Sequence, residues 1–233
     1  MFENAILITD PQNDFFIPGP LGVIGAEQII APTNRIIRHG VKNDWLILAS
    51  RDWHDENSVH FQDWSKHCVK DTLGAEFHKN LLVPSGTIVI SKGCGPNNRA
   101  GYSAFEKDVM LGIYHDGKII NTLPRPTTGT SKLHLPDYFL IALAMSRDLA
   151  TALTIARIKN LFNLGLTTDH CVSAGTCDAA KIGSDLGFKT YVCLDACRAV
   201  NLKPGDEERA IEDMKKAGAI MTTTDEVMAG KIY

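Results

Sequence analysis

"NLFNLGLTTDHCVSAGTCDAAKIGSDLGFKTYVCLD", Asn160 to Asp195, contains two short apolar runs with a longer segment between them. The runs are NLFNLGL (160–166) and TYVCLD (190–195). Both are nearly continuous rather than alternating, the pattern of strands covered on both faces. Between them, Val172, Thr176, Ala179, Ile182 and Leu186 recur at helical spacing. A strand, a helix and a second strand in that order form the repeating unit of a parallel sheet. The rest of the chain repeats it. AILITD (5–10), WLILASRD (45–52), TIVISK (87–92) and AIMTTT (219–224) read as further strands. Ile29, Ile30, Ile36 and Ile37 mark a helix before the second of these. In "PGDEERAIEDMKKAG" the proline and acids open a helix, and the lysines and glycine close it. The expected fold is a three-layer α/β/α arrangement around a mostly parallel sheet of about six strands.

The 233 residues suit one α/β domain, and residues 1–233 are read as such. A polar, turn-rich excursion interrupts the rhythm at about 106–150, with "YHDGK", "LPRPTTGTS" and "HLPD" in succession. It reads as a hairpin or lid, too thin in apolar residues for a core of its own, with a helix over Tyr138–Ile158 continuing from it. A net charge of -3 gives no electrostatic reason to expect nucleic acid or anionic lipid. No apolar run reaches membrane-spanning length, and "MFENAILITD" meets an Asp too early for a signal peptide. Six cysteines are too sparse for a disulfide scaffold, so reduced thiols in a cytoplasmic protein are expected.

Ligands of open α/β sheets sit beyond the carboxyl ends of the strands. The first run ends in Asp10, the second in Asp52 and the third in Lys92, while the fourth leads through Thr167 and Thr168 to Cys171. A single strand-ending Asp is ordinarily a turn or cap residue. Two carboxylates, an amine and a thiol on one edge are a chemical set. Asp169 is expected to cap the following helix, placing Cys171 in the first turn near unpaired N–H groups. That position, with Lys92 as neighbouring cation, would lower the thiol pKa, and Asp10 could take the proton. The other cysteines lack this setting, and Cys177 points elsewhere along the helix.

"RDWHDENSVHFQDWSKHC" carries Asp52 and His54 one residue apart, followed by His60 and His67. One further histidine beside that pair would complete a three-ligand metal site with open positions. Mixed N/O ligands suit Zn, Fe or Mn. Trp53, Phe61 and Trp64 could wall a pocket or pack the loop. His39, His78, His115 and His134 stand without such company and are assigned to surface or packing. "SKGCGPNNRAGYS" has neither the third glycine of a dinucleotide loop nor a Gly-Lys-Ser/Thr, so no organic cofactor is expected.

Taken in order, these segments resemble the nicotinamidase/pyrazinamidase group of the isochorismatase-like cysteine hydrolases. "DPQNDFF" is similar to the group's aspartate motif, and "RDWH" and "HFQDWSKHCVKDTLGAEFH" to its metal motifs. "SKGCGPNNRAGYSAF" is similar to its lysine motif and "GLTTDHCVSAGTCDA" to its nucleophile motif. The resemblance implies a catalytic triad of Asp10, Lys92 and Cys171. It implies one divalent ion, zinc first among the metals its ligand set admits, held by Asp52, His54 and His67. His60 falls where some relatives have a further ligand. Phe15, Trp64 and Tyr102 fall where the family encloses a pyridine ring. A cis peptide before Thr167 is implied too, aiming the N–H groups of Thr167 and Cys171 into an oxyanion hole. Relatives more often have alanine at the Thr167 position, and their link between lysine and cysteine motifs is shorter than 106–150.

The implied activity is hydrolysis of nicotinamide, and of pyrazinamide-like amides, to the acid and ammonia through a thioester, in NAD salvage. The expected partner is this small molecule, with no nucleic acid or membrane and with room for a homo-oligomer. Three other readings stand beside it: a related amidohydrolase for a carbamoyl or ureido substrate, a silent metal-binding interaction protein docking through 106–150, and a redox thiol protein. The histidine set argues against the first, the complete triad against the second, and the outward-facing Cys177 against the third.

Overall fold

A computed structural model describes residues 2–95, 97, 101–106, 109–120 and 149–231. The sheet strands are β1 (Asn4–Thr9), β2 (Leu46–Asp52), β3 (Ile88–Lys92), β4 (Met110–His115), β5 (Lys118–Ile120), β6 (Asn160–Leu166), β7 (Lys189–Arg198) and β8 (Ile220–Thr222). They line up in the order β5-β4-β3-β2-β1-β6-β7-β8. Six strands run parallel, and each is one of the apolar runs of the sequence. The polar excursion supplies the other two, an antiparallel hairpin that extends the sheet past β3. Its turn is Asp116-Gly117, both at positive φ, which two-residue hairpin loops require. The rest of the excursion, 121–148, and with it the expected helix start at Tyr138, lies outside the described residues.

The α-helices are α1 (Ile30–Lys42), α2 (Leu149–Ile155), α3 (Ser173–Leu186), α4 (Asp206–Lys216) and α5 (Thr224–Met228). Alternation along β1 feeds two cores, one on each face of the sheet. Ile6 and Ile8 join Ile36 and Ile37 of α1 on one side. Ala5 and Leu7 join Ala152 and Leu153 of α2 and Ala179 of α3 on the other. α3 buries small residues, Gly175, Thr176, Ala179, Ala180 and Gly183, and leaves the expected anchor Leu186 45% exposed. Close approach explains the difference: a Cβ at Gly183 would collide with the Phe188 carbonyl. α4 opens on Asp206, Glu207 and Glu208 and closes on Lys215 and Lys216, matching the helix dipole. Among the described residues no helix is long and apolar enough to cross a membrane.

Candidate active site

The strand order reverses at β1, with β2 and β3 laid down to one side and β6 and β7 to the other. Such a switch point opens a crevice at the carboxyl ends of the strands. Asp10 leaves β1 with φ 48°, a left-handed turn rare for a non-glycine residue, and has no exposed surface. Asp52 and Lys92 end β2 and β3 as register partners, so their side chains emerge side by side. Cys171 follows β6. The sequence order therefore becomes a spatial cluster.

Lys92 Nζ is the hub. It lies 2.8 Å from Asp10 Oδ2 and 3.4 Å from Cys171 Sγ, donates to the Gly101 carbonyl at 2.8 Å, and pairs with Asp52 Oδ1. The Ser50 hydroxyl donates to Asp10 Oδ1 at 2.8 Å. Burial pushes the Asp10 carboxyl up to about 6, against the pull of Lys92. Burial also opposes charge on Lys92, but Asp10 and Asp52 outweigh it and hold its pKa well above the ordinary value. The same balance in reverse leaves Asp52 well below the usual carboxylate range. Cys171 departs from expectation. Burial, reinforced by Asp10 and Asp52, pushes its thiol well up despite Lys92. The resting pair is thus a thiol beside a carboxylate rather than a preformed thiolate.

The Asp169 expectation is also corrected. Thr168–Val172 form a wide π-type turn ahead of α3, with Thr167 at its N-cap and no side-chain cap. Asp169 turns away from the helix and, with its carboxylate buried, accepts from the N–H groups of Val200 and Asn201, fastening the loop after β7. The turn at Cys171 is closed by its neighbours, since His170 N–H and Val172 N–H both donate to the Thr167 carbonyl. Leu166-Thr167 is a cis peptide. Beneath it, buried Asn163 accepts from Thr9 Oγ1 and donates to Thr176 Oγ1 and the Val172 carbonyl, tying β1, β6 and α3 together under the thiol.

Asp52 Oδ2 faces the second cluster, 3.7 Å from His54 Nε2 and 3.6 Å from His67 Nε2. His54, His60 and His67 are all buried, and one ring nitrogen from each lies within 4.8 Å of the others. His54 and His60 stack at 4.4 Å between ring centroids. His54 Nδ1 is held by the Gly93 carbonyl at 3.2 Å and His67 Nδ1 by the Ser65 carbonyl at 2.7 Å, which turns both Nε2 atoms inward. His54 Nε2 is buried with no hydrogen-bond partner among the described residues. A cation accepting that lone pair fits this donor set. Gly93 earns its place here: at φ 67° its missing Cβ makes room for the His54 ring.

Above Cys171 opens a cavity of about 320 Å³. Phe15, Trp64 and Tyr102 line it as expected, and Trp64 Nε1 donates to the Tyr102 hydroxyl at 3.0 Å. Trp53 does not; it lies under Arg51, away from this cavity. Sequence reading missed His170, whose ring stands edge-on to Trp64 at 5.1 Å, and Leu21, Val200 and Leu202 at the rim. It also missed buried Gln12, which grips the Asp52 backbone from both sides. Its amide donates to the Asp52 carbonyl and accepts from the Asp52 N–H, both at 2.7 Å, and donates to the Ala75 carbonyl at 2.9 Å. The signal for Gln12 was its place two residues after Asp10; the loop residues carried none.

The other cysteines sit apart. Cys68 and Cys193 are fully buried with thiols pushed well up by burial, burial pushes that of Cys197 to about 12, and Cys177 packs partly buried against the core. Cys197 lies within β7. His39 packs on Trp45 and His78 on Phe16, His115 lies by Asp116, and His134 is outside the described residues.

Residues 4–123 and 142–226 match the isochorismatase domain family. The chain is 29% identical to the nicotinamidase of Escherichia coli over 96% of both chains. It is 30% identical to the nicotinamidase/pyrazinamidase of Mycobacterium tuberculosis, over 91% of this chain and 95% of that one. Among solved structures it resembles the pyrazinamidase of Pyrococcus horikoshii in complex with zinc, with TM-score 0.70 and 32% identity over 95% of this chain and 99% of the other.

Proposed function

The chain belongs to the isochorismatase domain family and is an amidohydrolase acting on a carboxamide, and from that premise we propose that it is a metal-dependent nicotinamidase working through a Cys171 thioester. The observation that carries the reading is the single hub at Lys92 Nζ, which touches Asp10, Cys171 and Asp52 at once. It couples a nucleophile to a base on one side and to a histidine cluster on the other.

A cavity of about 320 Å³ lies at the small end of ligand sites and suits a single-ring amide between Trp64, Tyr102 and Phe15. With the ring seated there, Asp10 takes the thiol proton as Cys171 Sγ attacks the amide carbon. Lys92 keeps Asp10 ionised and steadies the sulfur charge. The backbone N–H groups of Thr167 and Cys171 receive the oxyanion, a donor pair in which each member typically contributes about 3 kcal/mol. Asp10 returns the proton to the departing ammonia, then draws one from the water that attacks the thioester and passes it to the leaving Cys171 sulfur, restoring thiol and carboxylate. Asp52, His54, His60 and His67 would hold the divalent ion, zinc by preference for this ligand set. Bound there, such an ion supplies a Lewis-acid point that orients a ring nitrogen.

We further read residues 1–233 as one catalytic domain of a cytoplasmic protein in NAD salvage. Ammonia release from nicotinamide tests the substrate and the metal together. The metal-loaded chain should release ammonia and nicotinate, and chelation should suppress release. A metal-loaded chain that releases none would overturn the substrate, and turnover indifferent to chelation would overturn the metal role.

A further inference from the structure

Arg51 and Asp52 are neighbours on β2 and point to opposite faces of the sheet. Asp52 lines the catalytic cavity, and Arg51 lines a second, separate cavity of about 580 Å³ that shares no lining residue with the first. Arg51 is only 6% exposed, yet no carboxylate lies within ion-pair distance of it among the described residues. Its Nε donates to Ser91 Oγ at 2.8 Å, and its guanidinium lies flat on Trp53, 3.5 Å from the ring centroid. Its two terminal amino groups have no hydrogen-bond partner among the described residues. An arginine fork with no carboxylate partner among the described residues, on the wall of a cavity, offers two donors in the geometry a carboxylate accepts.

The surroundings narrow the anion. Phe77 and Tyr114 wall the same cavity with Trp53, offering apolar faces for a ring. Lys79 and Lys118 add positive charge at the exposed rim, while Asp71 and Glu76 subtract two. The lining then carries one net positive charge, which matches one carboxylate and disfavours a dianionic phosphate.

We propose that this cavity is a second ligand site, for a small aromatic monocarboxylate held by the free fork of Arg51. The planar guanidinium receives the carboxylate through two parallel N–H bonds, a geometry that lysine cannot reproduce.

Calorimetric titration of the metal-loaded chain with benzoate tests the site, with inorganic phosphate as a second arm. Benzoate should bind, Arg51→Lys should weaken it at least about tenfold, and Lys118→Gln at the exposed rim about threefold. Phosphate should bind more weakly than benzoate. Since the readout is binding and not turnover, the result stands independently of the hydrolytic reading. No benzoate binding overturns the proposal. Binding that neither variant alters overturns it too, because the ligand then sits in the catalytic cavity. Phosphate binding tighter than benzoate makes the site a general anion hole and overturns the ligand class. If Arg51→Lys fails to fold, Lys118→Gln and Lys79→Gln carry the same test.

Discussion

The proposed chemistry rests on proton placement between Asp10 and Cys171. A carboxyl near pH 6 beside a buried, protonated thiol is a base poised to act only when attack begins. Activity needs Asp10 ionised, so kcat/KM should fall as pH drops below about 6. Ser50→Ala removes the hydroxyl that donates to the ionised form of Asp10. Losing a hydrogen bond to a charged group costs about 1.5 kcal/mol, so the acid limb should move up by about one pH unit. A pH–rate profile of the variant reads this directly, and an unmoved limb would remove Asp10 from the role. The convergence of Asp10, Lys92 and Cys171 was legible in the sequence because strand ends converge in any parallel sheet. The direction of the thiol pKa was not, because it depends on burial at the bottom of a crevice, where desolvation outweighs one cation. His170 and Asp169 show the same limit. A polar residue before a helix usually caps it, but here a π-type turn rotates Asp169 away toward Val200 and Asn201.

Between elements, the site depends on loops held by buried polar groups. Gln12 acts as a strand partner for the end of β2, satisfying both backbone groups of Asp52. Gln12→Ala should leave those groups buried and unpaired, destabilising the chain by about 3 kcal/mol. Urea unfolding in the presence of chelator measures that cost apart from metal binding, and a loss under about 0.5 kcal/mol would show that the clamp carries no weight. Elements with strong periodicity were readable. β1, β2, β3, β6, β7 and β8 each follow an apolar run, and α4 follows its charge gradient. The β4–β5 hairpin was readable only as a turn-rich excursion, since half-exposed strands near a sheet margin lack continuous apolar runs. Gln12 and Gly93 carry their meaning in long-range contacts that no local pattern encodes.

Across the whole molecule, the reversal of strand order at β1 puts the two carboxylates, the amine, the thiol and the three imidazoles at one edge of a single sheet. The geometry gathers His54, His60 and His67 beside Asp52, as the motif resemblance led one to expect. If those groups hold a divalent ion, the ion binds the folded chain alone and stabilises it by mass action. At a free concentration a thousandfold over Kd this amounts to about 4 kcal/mol, or roughly 10 °C in Tm for a chain of this size. Differential scanning with and without chelator checks it, and identical Tm values would speak against a metal centre. The covalent step is the core of the proposed mechanism. Rapid quenching of the metal-loaded chain with nicotinamide, followed by intact-mass and peptide analysis, should show one nicotinoyl group on Cys171. The Cys171→Ala chain should show none and release ammonia at least about a thousandfold more slowly. Ammonia release by Cys171→Ala at the parent rate, with no adduct on the parent, would contradict the thioester mechanism.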